Sequence, residues 1–90
     1  MPSYLVETYL AGDRANEQAA RERRARSAAD ELTRGATRIT FARSIHVPED
    51  EICFYVFEAP SARDAEVAAQ RAGLDPIRVV EAVSPEKEER

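Results

Sequence analysis

The chain alternates between short stretches rich in β-branched and aromatic residues and longer stretches with helical spacing. The first apolar stretch, SYLVETYL at 3–10, has the composition of a β-strand. Three more predicted strands follow, at TRITFARSIHV (37–47), EICFYVFEA (51–59) and IRVVEAV (77–83). The four-residue link PEDE joins the second strand to the third, which favours an antiparallel hairpin between them.

Two amphipathic helices are predicted between these strands. The first covers 11–35, with Asp13 as its N-cap and Gly35 as its end. The spacing of small and apolar residues predicts its buried stripe as Ala15, Ala19, Ala25, Ala29 and Leu32. The second covers 61–73, where Ser61, with Asp64 three residues later, predicts the N-cap and Gly73 the end.

The resulting order, β-α-β-β-α-β, is the split βαβ pattern of the ferredoxin-like α+β fold. In this fold two helices cover one face of a four-stranded antiparallel sheet, and the first and third strands occupy its centre. We predict a single ferredoxin-like domain over 1–84, followed by a polar tail over 85–90. A chain of this length has room for one hydrophobic core only.

The register of the predicted hairpin decides which side chains share a face. Pairing Val47 with Ile52 across the turn places His46 opposite Cys53, and then Ser44 opposite Tyr55 and Ala42 opposite Phe57. A slip of one residue would exchange the two faces of the sheet.

We assign to the helix-covered face the set that has fewer carboxylates to bury. That set is Val6, Ala42, Tyr55, Phe57, Val80 and Ala82. The face without helices, called the open face below, then carries Glu7, Arg43, Glu58 and Glu81 among Leu5, Tyr9, Phe41, Phe54, Val56 and Val79. An apolar surface of this size is larger than a soluble monomer usually exposes, so we expect a homodimer through the sheet.

The charged side chains of the open face form the predicted ligand-binding site. Glu7, Glu58 and Glu81 would converge with Arg43, and Tyr9 would lie beside them. Carboxylates packed together in an apolar surround repel one another, so a proton, a cation or a polar ligand is expected to compensate. The alternative is a set of salt bridges that fixes the register of the dimer.

His46 and Cys53 are the only histidine and cysteine in the chain. As cross-strand neighbours they are candidate ligands for a soft or borderline metal ion. Two ligands do not complete a site, however, and the predicted register turns both toward the helices. The alternative is that both are structural, since a buried cysteine usually behaves as a small apolar residue.

Composition and charge restrict the function further. Hydrophobic residues make up 43% of the chain and charged residues 33%, typical of a globular protein. The net charge of −4 argues against a nucleic-acid partner. A membrane span and a signal peptide are not predicted, and the single cysteine fits a reducing compartment, so the expected location is cytoplasmic.

The stretch VPEDEICFYVFEAPS, with AAQRAGL, IRVVEAV and the initial YLVETYL, resembles a family of small bacterial proteins of poorly defined function that includes nickel-binding members. The resemblance covers nearly the whole chain and implies a ferredoxin-like homodimer joined through its sheets. It also implies binding of nickel or another divalent metal. A histidine that many members carry in the second helix aligns with Ala68, so no metal ligand is carried over.

Three classes of function follow from the sequence. The first is a dimeric protein that binds a metal ion or a small ligand on the open face. The second is a cofactor-independent enzyme of the dimeric ferredoxin-like, monooxygenase type. The third is an assembly module without a ligand.

Overall fold

A computed structural model describes residues 1–85 and confirms the predicted order of elements. The strands are β1 (Ser3–Tyr9), β2 (Thr40–Val47), β3 (Ile52–Glu58) and β4 (Arg78–Ala82). The helices are α1 (Gln18–Arg34) and α2 (Ala62–Arg71), with 3₁₀ turns at Gly12–Glu17 and Pro48–Asp50. Of the predicted tail at 85–90, all but Pro85 lies outside the described residues.

The four strands form one antiparallel sheet in the order β2-β3-β1-β4. The first and third strands are central, as predicted, and both helices pack on the same face. This arrangement is the ferredoxin-like α+β fold. Among residues 1–85, the structure contains no helix with the length and apolarity needed to cross a membrane.

The core lies between the sheet and the two helices. Val6, Tyr55 and Phe57 point from the central strands toward the helices and are fully buried. The helices pack small side chains against the sheet, which allows a close approach between the two layers. These side chains are Ala25, Ala28 and Ala29 from α1, and Ala65, Ala68 and Ala69 from α2. The predicted stripe of α1 is therefore correct at Ala25 and Ala29, and Leu32 packs against the same core.

The start of the first helix was predicted wrongly. Residues 12–17 form a 3₁₀ turn in which Arg14 leaves helical geometry, and α1 begins only at Gln18. Asp13 lies inside that turn and caps no helix, while Ala15 and Ala19 are exposed. The helical period breaks at the turn, so Ala15, which precedes the break, does not continue the buried stripe. Ala19 lies within α1 but off the stripe that Ala25, Ala28 and Ala29 form.

The second helix begins as predicted. The Ser61 hydroxyl accepts a hydrogen bond from the Asp64 backbone N–H at 3.2 Å, a side-chain N-cap. The helix ends at Arg71, and Gly73 then adopts a left-handed φ of 73°. That conformation favours glycine because it has no Cβ.

The hairpin register is correct near the turn and wrong farther from it. Val47 pairs with Ile52, His46 with Cys53 and Ser44 with Tyr55, but a β-bulge then shifts the ladder between Phe41 and Arg43. Because of this shift, two residues of β2 were assigned to the wrong faces of the sheet. Phe41, rather than Ala42, lies opposite Phe57 on the helix-covered face, and Ala42 is exposed.

Phe41 is only 6% exposed because it packs into the core below α1. Its ring centroid lies 5.4 Å from that of Phe57, and the Arg26 guanidinium of α1 lies 5.1 Å above it. In this cation–π contact the guanidinium covers the Phe41 ring at the outer side of the core. Phe41 is therefore absent from the open face, contrary to the prediction.

The faces of β4 were also predicted the wrong way round. Val79 lies opposite Val6 on the helix-covered side and packs against the core, and Glu81 lies opposite Tyr4 on that side. Val80 and Ala82, predicted to be covered, lie on the open face opposite Leu5 and Ser3. Because Val79 and Val80 are both apolar, hydrophobicity does not distinguish the two registers of this strand.

Candidate functional site

The open face is a grid of side chains from all four strands, set by the pairing of the ladder. Each row runs from β2 to β4. The first row is Thr40, Glu58, Ser3 and Ala82, and the second is Arg43, Val56, Leu5 and Val80. The third row is Ile45, Phe54, Glu7 and Arg78, and the fourth is Val47, Ile52 and Tyr9. Each of the two middle rows combines apolar side chains with charge: Arg43 lies at the β2 end of one row, and Glu7 and Arg78 occupy β1 and β4 in the other. No helix of the described chain covers this surface.

Glu7 is one of two predicted acidic residues that are partly buried on the open face, the other being Glu58. Its side chain is 21% exposed, between Phe54 on β3 and Arg78 on β4. The Arg78 Nε lies 3.4 Å from the Glu7 Oε1, although the arginine side chain itself is 67% exposed. Glu7 was therefore placed correctly on the open face, but its cross-strand neighbour is a cation and not a second carboxylate.

Glu81 is not part of this cluster. It lies on the helix-covered side of β4 near the end of the strand, where it is exposed. The predicted group of three acids with one arginine is thus corrected to two acids with two arginines, Glu7 and Glu58 with Arg43 and Arg78. The sequence reasoning missed Arg78 because it reversed the face of β4.

Arg43 and Glu58 occupy one corner of the open face. Arg43 lies opposite Val56. Glu58 is the next residue of β3 on the open face after Val56, and it lies opposite Thr40. Diagonal neighbours of this kind are within reach of long side chains. The face as a whole carries balanced charge, two carboxylates against two guanidinium groups, although the chain has a net charge of −4.

Tyr9 lies at the end of β1 on the open face, as predicted, and is 55% exposed. Its hydroxyl donates a long hydrogen bond of 3.4 Å to the Glu51 carboxylate in the hairpin turn. Glu51 adopts a left-handed φ of 57°, which brings the turn back toward β1. The tyrosine ring is thus fixed at one end while most of its surface faces solvent.

His46 and Cys53 face the helices, as the predicted register required. Cys53 is fully buried, and the His46 Nε2 lies 3.1 Å from the Leu10 carbonyl oxygen, a hydrogen bond when that nitrogen carries the proton. Within residues 1–85, no group of three or more His, Cys, Asp or Glu side chains is arranged to hold a metal ion. His46 and Cys53 therefore remain an isolated pair.

A polar cluster under α1 was not anticipated from the sequence. The Tyr55 hydroxyl is buried beside the Cys53 thiol and near the Arg21 guanidinium, and no described residue forms a hydrogen bond of normal geometry with it. Burial raises the pKa of Tyr55, and the thiol raises it further. Burial likewise raises the pKa of Cys53. Both groups therefore stay neutral in the folded protein at physiological pH.

The same cluster continues toward the edge of the sheet. The Ser44 hydroxyl donates to the Glu22 carboxylate of α1 and accepts from the Gln18 side-chain amide at 2.8 Å. The Ser44 backbone N–H also donates to Glu22, at 3.2 Å. These contacts anchor the first turns of α1 to β2, so the cluster is explained by the packing of the helix.

Comparison with known proteins supports the fold. A crystal structure of the protein SCO4226 from Streptomyces coelicolor A3(2) superimposes with a TM-score of 0.71 over 92% of this chain and 99% of that one. The two sequences are 16% identical, so the similarity concerns the fold alone. No protein-family model matches the chain, and no curated protein matches it significantly.

Proposed function

We propose that this protein is a homodimeric binding protein in which the open faces of two subunits pack together and hold a small polar ligand or metal ion. The observation that supports this proposal is the enclosed Glu7 carboxylate, 21% exposed, on an apolar sheet face that no described helix covers, with the mostly exposed Arg78 as its neighbour on the outer strand. Charged groups in apolar surroundings are costly unless they are paired or bound to a ligand.

The apolar part of the open face favours a second copy as its cover. Leu5, Phe54 and Ile52 are only partly buried within one chain, and Ile45 is 40% exposed. Apolar surface gains about 25 cal/mol per Å² when it leaves water, so a partner that covers these residues is stabilising. The balanced charge of the face removes the repulsion that two chains of net charge −4 would otherwise meet there.

The charges on the face favour a polar molecule over a metal ion as the ligand. Arg78 is next to Glu7, and a guanidinium group repels a metal cation while it binds carboxylates and phosphates well. A metal site on this face would need carboxylates from both subunits, and Glu7 and Glu58 are the two that the face offers.

An assembly module without a ligand is the second candidate. Glu7 already has a cationic neighbour at 3.4 Å, which reduces the need for an outside partner. In this case the charged residues would select the register of the dimer, a role that polar groups in apolar interfaces serve elsewhere.

Sedimentation and native mass spectrometry at micromolar concentration, with and without nickel or zinc, test the proposal. We expect a dimer, and we expect Ile45→Glu to convert it to monomer, since Ile45 is exposed enough to accept a charge without unfolding. Ala19→Glu is the matched control because it adds the same charge to the exposed surface of α1. A wild-type protein that sediments only as a monomer would refute the dimer.

The ligand is tested separately with Glu7→Gln and Glu58→Gln. If the open face binds a metal ion or polar molecule, at least one variant should lose the bound mass seen in wild-type dimers. If both variants match wild type in dimerisation and bound mass, the assembly module is the better description.

A further inference from the structure

A cleft of about 320 Å³ opens at the end of the sheet, where β1 meets the loop between α2 and β4. Its lining residues are Tyr9, Arg21, Gly73, Leu74, Asp75 and Ile77. Its volume lies at the lower end of the range of small-molecule sites, about 300–1,000 Å³. The cleft combines one cation, one anion and an apolar wall, and apart from Tyr9 it shares no residue with the open face.

The cation is Arg21, which has unused hydrogen-bonding capacity. Its side chain is only 16% exposed, and its two polar contacts are long, 3.3 Å to Glu17 and 3.4 Å to the Tyr9 carbonyl oxygen. Glu17 engages Arg14 at 2.6 Å instead, and that contact is the main cause of its lowered pKa. A guanidinium has five N–H donors, so Arg21 has several left for a carboxylate.

The anion is Asp75, held at the rim by an uncommon backbone conformation. Its φ is 59°, a left-handed value that aspartate tolerates better than most residues, and Pro76 follows it. Strained positions of this kind concentrate at binding sites. Among the described residues, Asp75 and Arg21 form no ion pair with each other: Arg21 pairs with Glu17 at 3.3 Å, whereas Asp75 takes part in no ion pair.

Three residues supply the apolar lining of the cleft. Ile77 is 62% exposed and Tyr9 is 55% exposed, whereas Leu74 forms the buried floor. Exposed large apolar side chains next to a cleft offer surface that an apolar ligand group could cover.

We propose that this cleft binds a free α-amino acid with an apolar side chain. The ligand carboxylate pairs with Arg21, its ammonium group with Asp75, and its side chain packs against Tyr9 and Ile77. A simple anion would leave Asp75 unpaired and close to it, and a simple cation would leave the free N–H donors of Arg21 unused. A zwitterion uses both groups, and this site shares only Tyr9 with the open face.

Isothermal titration calorimetry of the full chain at pH 7 tests the proposal with L-leucine as the probe. Two matched compounds each remove one charge: 4-methylpentanoate lacks the ammonium group, and 3-methylbutylamine lacks the carboxylate. We expect leucine to bind at least about tenfold more tightly than either, because each lost contact is a charge-assisted hydrogen bond. Equal affinities for all three, or no binding of leucine at millimolar concentration, would overturn the proposal.

The variant Asp75→Asn identifies the site, since asparagine also tolerates the left-handed conformation. It should reduce leucine affinity about tenfold but should not weaken 4-methylpentanoate binding, because it removes a carboxylate that repels this anion. Asp30→Asn, an exposed carboxylate on α1, is the control and should behave as wild type. Leucine affinity that is unaffected by Asp75→Asn would refute this location. Leucine binding by the Ile45→Glu variant would show that the cleft functions independently of the proposed dimer.

Discussion

Replacing Tyr55 with phenylalanine should make the protein more stable. The Tyr55 hydroxyl is fully buried and has no hydrogen-bond partner among residues 1–85. Burying a hydroxyl without a hydrogen bond costs about 1–3 kcal/mol in proteins. Phenylalanine keeps the ring, whose centroid lies 6.3 Å from that of Phe41, and removes only the polar atom. We expect the free energy of unfolding at pH 7 to rise by about 1 kcal/mol.

The pH dependence gives a second measure of the same group. A free tyrosine ionises near pH ~10, whereas burial raises the pKa of Tyr55 in the folded protein. Above pH ~10 the unfolded chain therefore holds fewer protons than the folded one, and stability falls as pH rises, by up to about 1.4 kcal/mol per pH unit for this group. Cys53, whose pKa burial also raises, adds a loss that begins near pH ~8.5.

Urea unfolding of wild type and Tyr55→Phe at pH 7, 9 and 10.5 measures both effects. The advantage of the variant should be present at pH 7 and should widen above pH ~10, since the variant lacks the ionising group. Tyr4→Phe is the control: Tyr4 lies on β1 and on the same face of the sheet as Tyr55, but its hydroxyl is not a buried group without a hydrogen bond. A Tyr55→Phe protein that is less stable than wild type by 1 kcal/mol or more would show that the hydroxyl has a partner after all.

Two further predictions concern the remaining polar residues. The double variant His46→Leu, Cys53→Ala should lose about 1–3 kcal/mol of stability, because it breaks the contact with Leu10 and leaves a smaller side chain in the core. In native mass spectrometry it should keep the wild-type content of nickel or zinc. Loss of bound metal with an unchanged oligomeric state would make the pair a metal site. Ser61→Ala should lower the unfolding free energy by about 1 kcal/mol in thermal or urea unfolding because it removes the cap of α2, whereas Ser27→Ala on the exposed side of α1 should have little effect.

The order of elements could be predicted because each has a local signal. Ser61 followed by Asp64 marks the start of α2, and the short PEDE link sets the hairpin pairing from Val47 to Ser44. These signals act over a few residues, so they do not depend on the rest of the fold. The assignment of the central strands follows from the order of elements alone.

The candidate site could be predicted only in part, since it depends on contacts between distant elements. The bulge at Ala42 forms where Phe41 can pack under Arg26, and nothing in β2 itself indicates this. Arg78 meets Glu7 because packing against the core, rather than alternation, turns Val79 inward. The cleft joins residues from three parts of the chain, and no local pattern connects them.

The two outer strands also determine how copies of this chain can add to one another. A regular outer strand offers unpaired N–H and C=O groups on which a neighbouring chain can extend the sheet without limit. Here β2 is interrupted by its bulge, and β4 is only five residues long. Both borders are therefore poor templates for continued strand addition. In the homodimer that we propose, self-association uses the broad surface of the sheet, where a two-fold contact closes after two subunits and leaves no site for fibre growth.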